Sequence, residues 1–125
     1  MRETMRESAK VNYSVVTKHR TEYPNPLVLL KGQSIFIGEK YSGPEEWDNW
    51  YYCTTLDHKH GGWVPGQLID VIEAQGVILE DYTAKELDVN EGEQVVGTKE
   101  LNGWIWCVNT LNSEEGWVPK ENLKP

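Results

Sequence analysis

Val11, Tyr13 and Val15 alternate with polar neighbours, and strand-like runs return at Ile35-Phe36-Ile37, Trp50–Cys53, Val95-Val96 and Trp104–Val108. A period of two places alternate side chains on one face and marks half-buried strands. Clusters of glycine, proline, asparagine and aspartate interrupt these runs at short intervals. Many short strands separated by frequent turn signals predict an all-β sandwich or barrel. No segment carries a sustained helical period.

The pattern is written twice. Trp50-Tyr51-Tyr52-Cys53 leads to Gly62-Trp63-Val64-Pro65, and Trp104-Ile105-Trp106-Cys107 leads to Gly116-Trp117-Val118-Pro119, every pair lying 54 positions apart. Upstream, Leu27–Gly32 matches Leu87–Gly92 at a spacing of 60, so the first copy carries extra residues before its tryptophan. They fall within Gly38–Asn49, a loop by composition. A fixed spacing across several motifs means two copies of one small unit. The expected division is a polar tail at 1–10, a first barrel at 11–73 and a second at 74–125. Only Glu73-Ala74-Gln75-Gly76 separates the copies, too little for a flexible tether. The two five-stranded barrels are therefore expected to pack against each other in a fixed orientation.

Composition narrows the partners. The 125 residues carry a net charge of −8. Residues 1–76 hold ten acids and eight bases, whereas 77–125 hold ten acids and four bases. Such a surface repels phosphate backbones and anionic headgroups, which argues against nucleic acid and membrane, and it favours cationic partners. The first residues, Met1-Arg2-Glu3-Thr4, lead into no apolar run and do not form a secretory signal. Cys53 and Cys107 occupy matching positions in the two copies, out of disulfide reach of each other. They read as buried reduced thiols and fit a reducing compartment, so a cytoplasmic location is expected.

Asp81-Tyr82-Thr83-Ala84, Glu86-Leu87-Asp88-Val89, Gly92-Glu93, Asn102-Gly103-Trp104 and Gly116-Trp117-Val118-Pro119 follow one another in copy two. This order resembles the Src-homology-3 domain, a small five-stranded barrel that binds peptides. Copy one, through Tyr23-Pro24-Asn25-Pro26-Leu27, Trp50 and Gly62–Pro65, resembles the variant form of that domain seen in bacterial proteins. The resemblance implies an aromatic ridge that holds a peptide in the polyproline II conformation. Tyr82, Trp104 and Pro119 match ridge positions in copy two. In copy one Trp50 and Pro65 match, with Tyr23 standing in for Tyr82. The family's first ridge tyrosine falls on Glu80 and its last on Asn122, or on Leu68 in copy one. The loss of these rings implies that one ligand pocket is largely gone.

Trp50 and Trp104 are the leading candidates for ligand contact, the competing role being packing between barrels. Glu45, Glu46, Trp47 and Asp48 place acids and an indole beside Trp50, a combination suited to a guanidinium that pairs with carboxylate while stacking on a ring. Glu86 and Glu100, with Glu80, are candidates for the same role in copy two. Trp63 and Trp117 read as half-buried scaffold, and Gly62 and Gly116 as positions of strained backbone or close packing. His58 and His60 read as a solvated turn rather than a metal site. His19 has no evident partner. Neither a nucleophile elbow nor a phosphate-cradling loop is present, so no enzyme and no cofactor are expected. The expected function is non-catalytic binding of an extended segment containing Arg, Lys or proline. The alternatives are self-association through the aromatic faces, including a homo-oligomer, and attachment to a cell wall.

Overall fold

A computed structural model of the chain describes residues 10–21, 25–44, 47–73 and 75–125. Its described strands are β1 (Val11–Val15), β2 (Val28–Leu29), β3 (Ser34–Lys40), β4 (Trp50–Thr55), β5 (Gly61–Pro65), β6 (Ile69–Ile72), β7 (Gln75–Ile78), β8 (Tyr82–Thr83), β9 (Gln94–Leu101), β10 (Trp104–Asn109), β11 (Glu115–Pro119) and β12 (Leu123–Lys124). Single 3-10 turns at Gly66–Leu68 and Lys120–Asn122 follow the two prolines. The all-β expectation holds, and the curled sheets are those of small Src-homology-3-like barrels.

The order of strands within the sheets differs from the order of copies along the chain. One five-stranded sheet runs β11-β10-β9-β1-β12, the other β5-β4-β3-β7-β6, and β2 pairs with β8. Two compact units result. One joins the N-terminal segment to Glu86–Pro125, and the other is Asn25–Lys85. Each copy thus gives its first strand to the barrel of the other. The expected boundary between residues 73 and 74 falls inside one sheet: β6 and β7 are antiparallel neighbours, with Ile72 opposite Gln75. Of the short segment read as an inter-barrel connection, Gln75 and Gly76 belong to β7, and Glu73 ahead of it has φ 59°. Left-handed backbone of this kind matches the twist of paired strands and closes hairpins.

The two donated strands fill the same place. The amide of Val15 donates to Glu93 O at 2.9 Å, and that of Ile78 to Gln33 O at 2.9 Å. Gly92 returns a bond to Val15 O and Gly32 one to Ile78 O, at 2.8 and 2.7 Å. Both glycines have positive φ, 92° and 87°, in the turn that starts the next strand. Exchange lengthens the loop that β1 closes and shortens the one that β7 closes onto β6, where Ile78 lies opposite Ile69. Val11 lies opposite Gly97 rather than Ile37, a separation less than fourfold greater, which costs about 1 kcal/mol. That is less than the value of burying one aliphatic side chain, roughly 1.5–3 kcal/mol.

Each unit closes its own core. In the first, Val15 and Tyr13 of β1 pack with Leu87, Val89, Val95, Ile105, Val118 and Leu123. In the second, Ile78 of β7 is buried with Leu29, Ile35, Val64 and Ile69. Cys53 and Cys107 are fully buried free thiols, and desolvation pushes both up to about 12.

Candidate functional site

The Glu86–Pro125 unit carries the half-exposed ridge tryptophan. Trp104 opens β10 opposite Pro119 of β11. Beside it runs the segment after β1. His19 and Val89 form a β-bridge, each amide donating to the other's carbonyl at 3.0 Å. Arg20 fastens the segment by donating to Val89 O at 2.8 Å and to Asn90 Oδ1. The amide of Thr21 adds a bond to Asp88 Oδ1 at 2.8 Å.

This strap brings the His19 imidazole to the site. Its Nε2 lies 2.8 Å from Glu86 Oε1, and each side chain keeps 16% of its surface accessible. Its ring stands edge-on to Trp104, centroids 5.5 Å apart at 80°. His19 takes the place in this barrel that Tyr82 takes in the other: His19 pairs with Val89, and Tyr82 with Leu29. Sequence reading left His19 without a partner because both partners lie in the opposite copy. The matching places of Val15 and Ile78, each four residues upstream, were the available signal.

Glu86 is held rigidly. It forms a parallel bridge with Trp117, and the amide of Leu87 donates to Trp117 O at 3.0 Å. Gly116 makes this approach possible: a Cβ there would lie 2.7 Å from both Glu86 C and Leu87 N. At Gly62 a Cβ would lie 3.1 Å from Leu27 Cβ. Close packing, not strained backbone, explains both glycines.

The remaining candidates divide. Glu100 Oε2 accepts from Lys120 Nζ at 3.0 Å, an exposed pair that a ligand cation would have to open. Pro119, the cross-strand partner of Trp104, is buried. In the other unit Trp50 is 7% exposed, Tyr82 is 7% exposed and Pro65 is fully buried. Trp50 and Pro65 were expected on the ridge of copy one and Tyr82 on that of copy two, and all three are buried. The Tyr82 hydroxyl donates to Trp63 O at 2.9 Å, so its polar end is satisfied inside the fold. Trp50 sits where the long loop closes, its carbonyl accepting from the amide of Tyr41 at 2.8 Å. Tyr23, Glu45 and Glu46 lie outside the described residues. Asp48 is exposed.

Sequence reading missed a run of rings on the Asn25–Lys85 unit. Trp47 lies 5.7 Å from Tyr41, Tyr41 lies 5.4 Å from Trp63, and Trp63 lies 5.4 Å from Tyr52, the last two contacts edge-to-face. Tyr52 and Trp63 are directly opposite across β4 and β5, as Trp106 and Trp117 are across β10 and β11. Period-two alternation in the two matched strands was the signal for this pairing. In the second pair the rings are 5.3 Å apart, and Trp106 Nε1 donates to Glu115 Oε1 at 2.9 Å.

The histidine turn is a hydrogen-bonded loop. Asp57 Oδ1 accepts from Thr55 Oγ1 at 2.7 Å and from the Lys59 amide at 3.0 Å. These bonds, the hydroxyl's first, hold the Asp57 carboxyl below the usual carboxylate range. His58 stacks on Phe36 at 5.1 Å. Among the described residues no group of three or more His, Cys, Asp or Glu is arranged to hold a metal. No described helix is long and apolar enough to cross a membrane.

Short curled sheets, a Gly-Trp-Val-Pro strand and a tryptophan opposite its proline are features of a Src-homology-3-like fold. Residues 13–72 match the family model described as the variant SH3 domain. Three curated relatives, each called Myosin-1, share part of the sequence. The protein from Coccidioides immitis (strain RS) is 46% identical over 43 residues, covering 34% of this chain and 3% of that protein. That from Aspergillus terreus (strain NIH 2624 / FGSC A1156) is 39% identical over 51 residues, 38% of this chain and 4% of the relative. That from Aspergillus oryzae (strain ATCC 42149 / RIB 40) is 38% identical over 56 residues, 42% and 4%. The chain therefore spans only a few hundredths of the length of these relatives. No solved structure matches it. SH3 domains are non-catalytic modules of protein interaction. Here the matched stretch is divided, its first strand completing the barrel of Glu86–Pro125.

Proposed function

We propose that this protein recognises an extended peptide segment bearing arginine or lysine, held across Trp104 with its cation at Glu86. The half-exposed indole of Trp104, edge-on to a histidine that is bonded to Glu86, carries the reading. One carboxylate has lone pairs for several donors, so Glu86 keeps acceptor capacity beside His19. A guanidinium bonded there and lying on the indole combines a charge-assisted bond with a cation–π contact, together about 2–4 kcal/mol. The acidic balance of residues 77–125 adds attraction at longer range. The ridge position of the other copy serves packing, since Trp50 is buried, and this favours a structural role for that ring. Buried thiols suit a reducing compartment, in keeping with a cytoplasmic setting.

The test is a titration of extended peptides containing arginine and proline, followed by amide shifts and tryptophan fluorescence. Shifts are expected around His19, Glu86 and Trp104, weakened by added salt and lost in Trp104→Ala. A lack of response at millimolar peptide, or a response that survives Trp104→Ala unchanged, would overturn the assignment.

A further inference from the structure

We infer that side-chain volumes at two matched places dictate which first strand each barrel accepts, so that strand exchange is encoded in the sequence. Tyr13 lies opposite Val95, and Gly76 lies opposite Ile35, so Tyr13 and Gly76 fill the same place in the two barrels. Two residues along the receiving strand stand Gly97 in one barrel and Ile37 in the other. At the receiving strand the backbone does not discriminate, because β1 and β7 make the same bonds to the start of β9 and of β3.

The side chains do discriminate. Around Gly97, a Cβ would meet Tyr13 Cε2 at 2.7 Å and Ile105 Cγ2 at 2.7 Å, so the phenol ring lies directly on the glycine. Around Gly76, a Cβ would meet Ile69 Cγ2 at 2.5 Å and Ile37 Cδ1 at 3.0 Å, so an isoleucine lies on the glycine. Large faces small in both barrels, with the roles reversed. Barrels made of consecutive copies would place Tyr13 against Ile37 and Ile69, where even one added carbon has no room. They would also place Gly76 against Gly97 and leave the place of the half-buried Tyr13 ring unfilled. Overpacking and cavities both destabilise a dense interior. The consecutive arrangement suffers one in each barrel, and the exchanged arrangement suffers neither. The exchanged segment then carries His19 into the barrel that holds Trp104. The inference does not depend on what the site binds.

The test uses the full chain with a specific protease site inserted at the Glu73 turn and cleaved after folding. Residues 1–73 and 74–125 are expected to travel as one particle in native size exclusion and to part only in denaturant. Cross-strand NOEs are expected between Asn12 and Val96, not between Asn12 and Phe36. In Tyr13→Gly/Gly76→Tyr the volumes favour consecutive barrels, so the cleaved halves should separate and the Asn12 NOE should move to Phe36. Should that variant not fold, Tyr13→Gly alone makes the two arrangements equal in volume and should show both sets of NOEs. Halves of the parent protein that separate on cleavage would overturn the inference. So would a folded double variant, or a single variant, that retains only the Asn12–Val96 set.

Discussion

Gly116→Ala is the sharpest probe of how the site is held. The new Cβ would stand 2.7 Å from Glu86 C, 2.7 Å from Leu87 N and 3.0 Å from Glu86 O. All three are backbone atoms, so no rotamer change relieves the overlap and the Glu86–Leu87 arm must move away. Overpacking of this kind costs about 1–3 kcal/mol. Moving the arm also weakens the Leu87–Trp117 bond, worth about 1 kcal/mol. Against this, alanine restricts the unfolded chain and returns about 0.4–1 kcal/mol. The net loss is about 1–3.5 kcal/mol, or about 4–28 °C in midpoint for a unit of this size. Gly62→Ala is the internal control. Its Cβ would meet the Leu27 side chain at 3.1 Å rather than backbone, and the net change should stay within about 1 kcal/mol. Urea unfolding of the two full-length variants gives the comparison directly. Gly116→Ala should also disturb the His19–Glu86 bond, visible as an imidazole shift by NMR. If the two alanines cost the same, the close approach of the Glu86 arm does not explain the glycine.

Trp50→Ala should cost about 3–5 kcal/mol by thermal or urea unfolding, as for other buried aromatics, whereas half-exposed Trp104→Ala should cost no more than about 2 kcal/mol. Equal losses would refute the division between a packing and a surface indole. Cys53 and Cys107, with thiols pushed up to about 12 by burial, should resist a thiol reagent at pH 8 and both react once the chain is unfolded. Lys120→Ala should change stability by less than about 1 kcal/mol, since its pair with Glu100 is exposed. The Asp57 midpoint should lie below the ordinary carboxylate range and rise in Thr55→Val, as read by carboxyl NMR. Because that midpoint is lowered on folding, its stabilising effect is complete above the unfolded value and disappears as pH falls through the folded one.

Much of the candidate site was legible one residue at a time. Trp104 and Glu86 were identified from the family order, and His19 meets both in the folded chain. His19 was not identified, because its role depends on a contact with Glu86 and Trp104 across the exchanged strand. Trp50 and Tyr82 were assigned to a groove because their motif positions match a ridge. Exposure, however, depends on what closes over a ring, and here both are buried. The tyrosine and tryptophan run from Tyr41 to Tyr52 was hidden for a similar reason, since a loop residue joins rings on two strands.

The sequence by itself determined the all-β class, the duplication, the places of the turns and the two inert thiols. These follow from alternation, spacing and glycine placement, which act over a few residues and read the same in any barrel of this kind. Tertiary structure alone decided which first strand joins which sheet, and with it the identity of the residues that meet at Trp104. Backbone bonding to the receiving strand is the same for either choice, so strand periodicity carries no trace of it. The decision rests on the volumes of Tyr13, Ile37, Gly76 and Gly97, which acquire meaning only once the strands lie side by side.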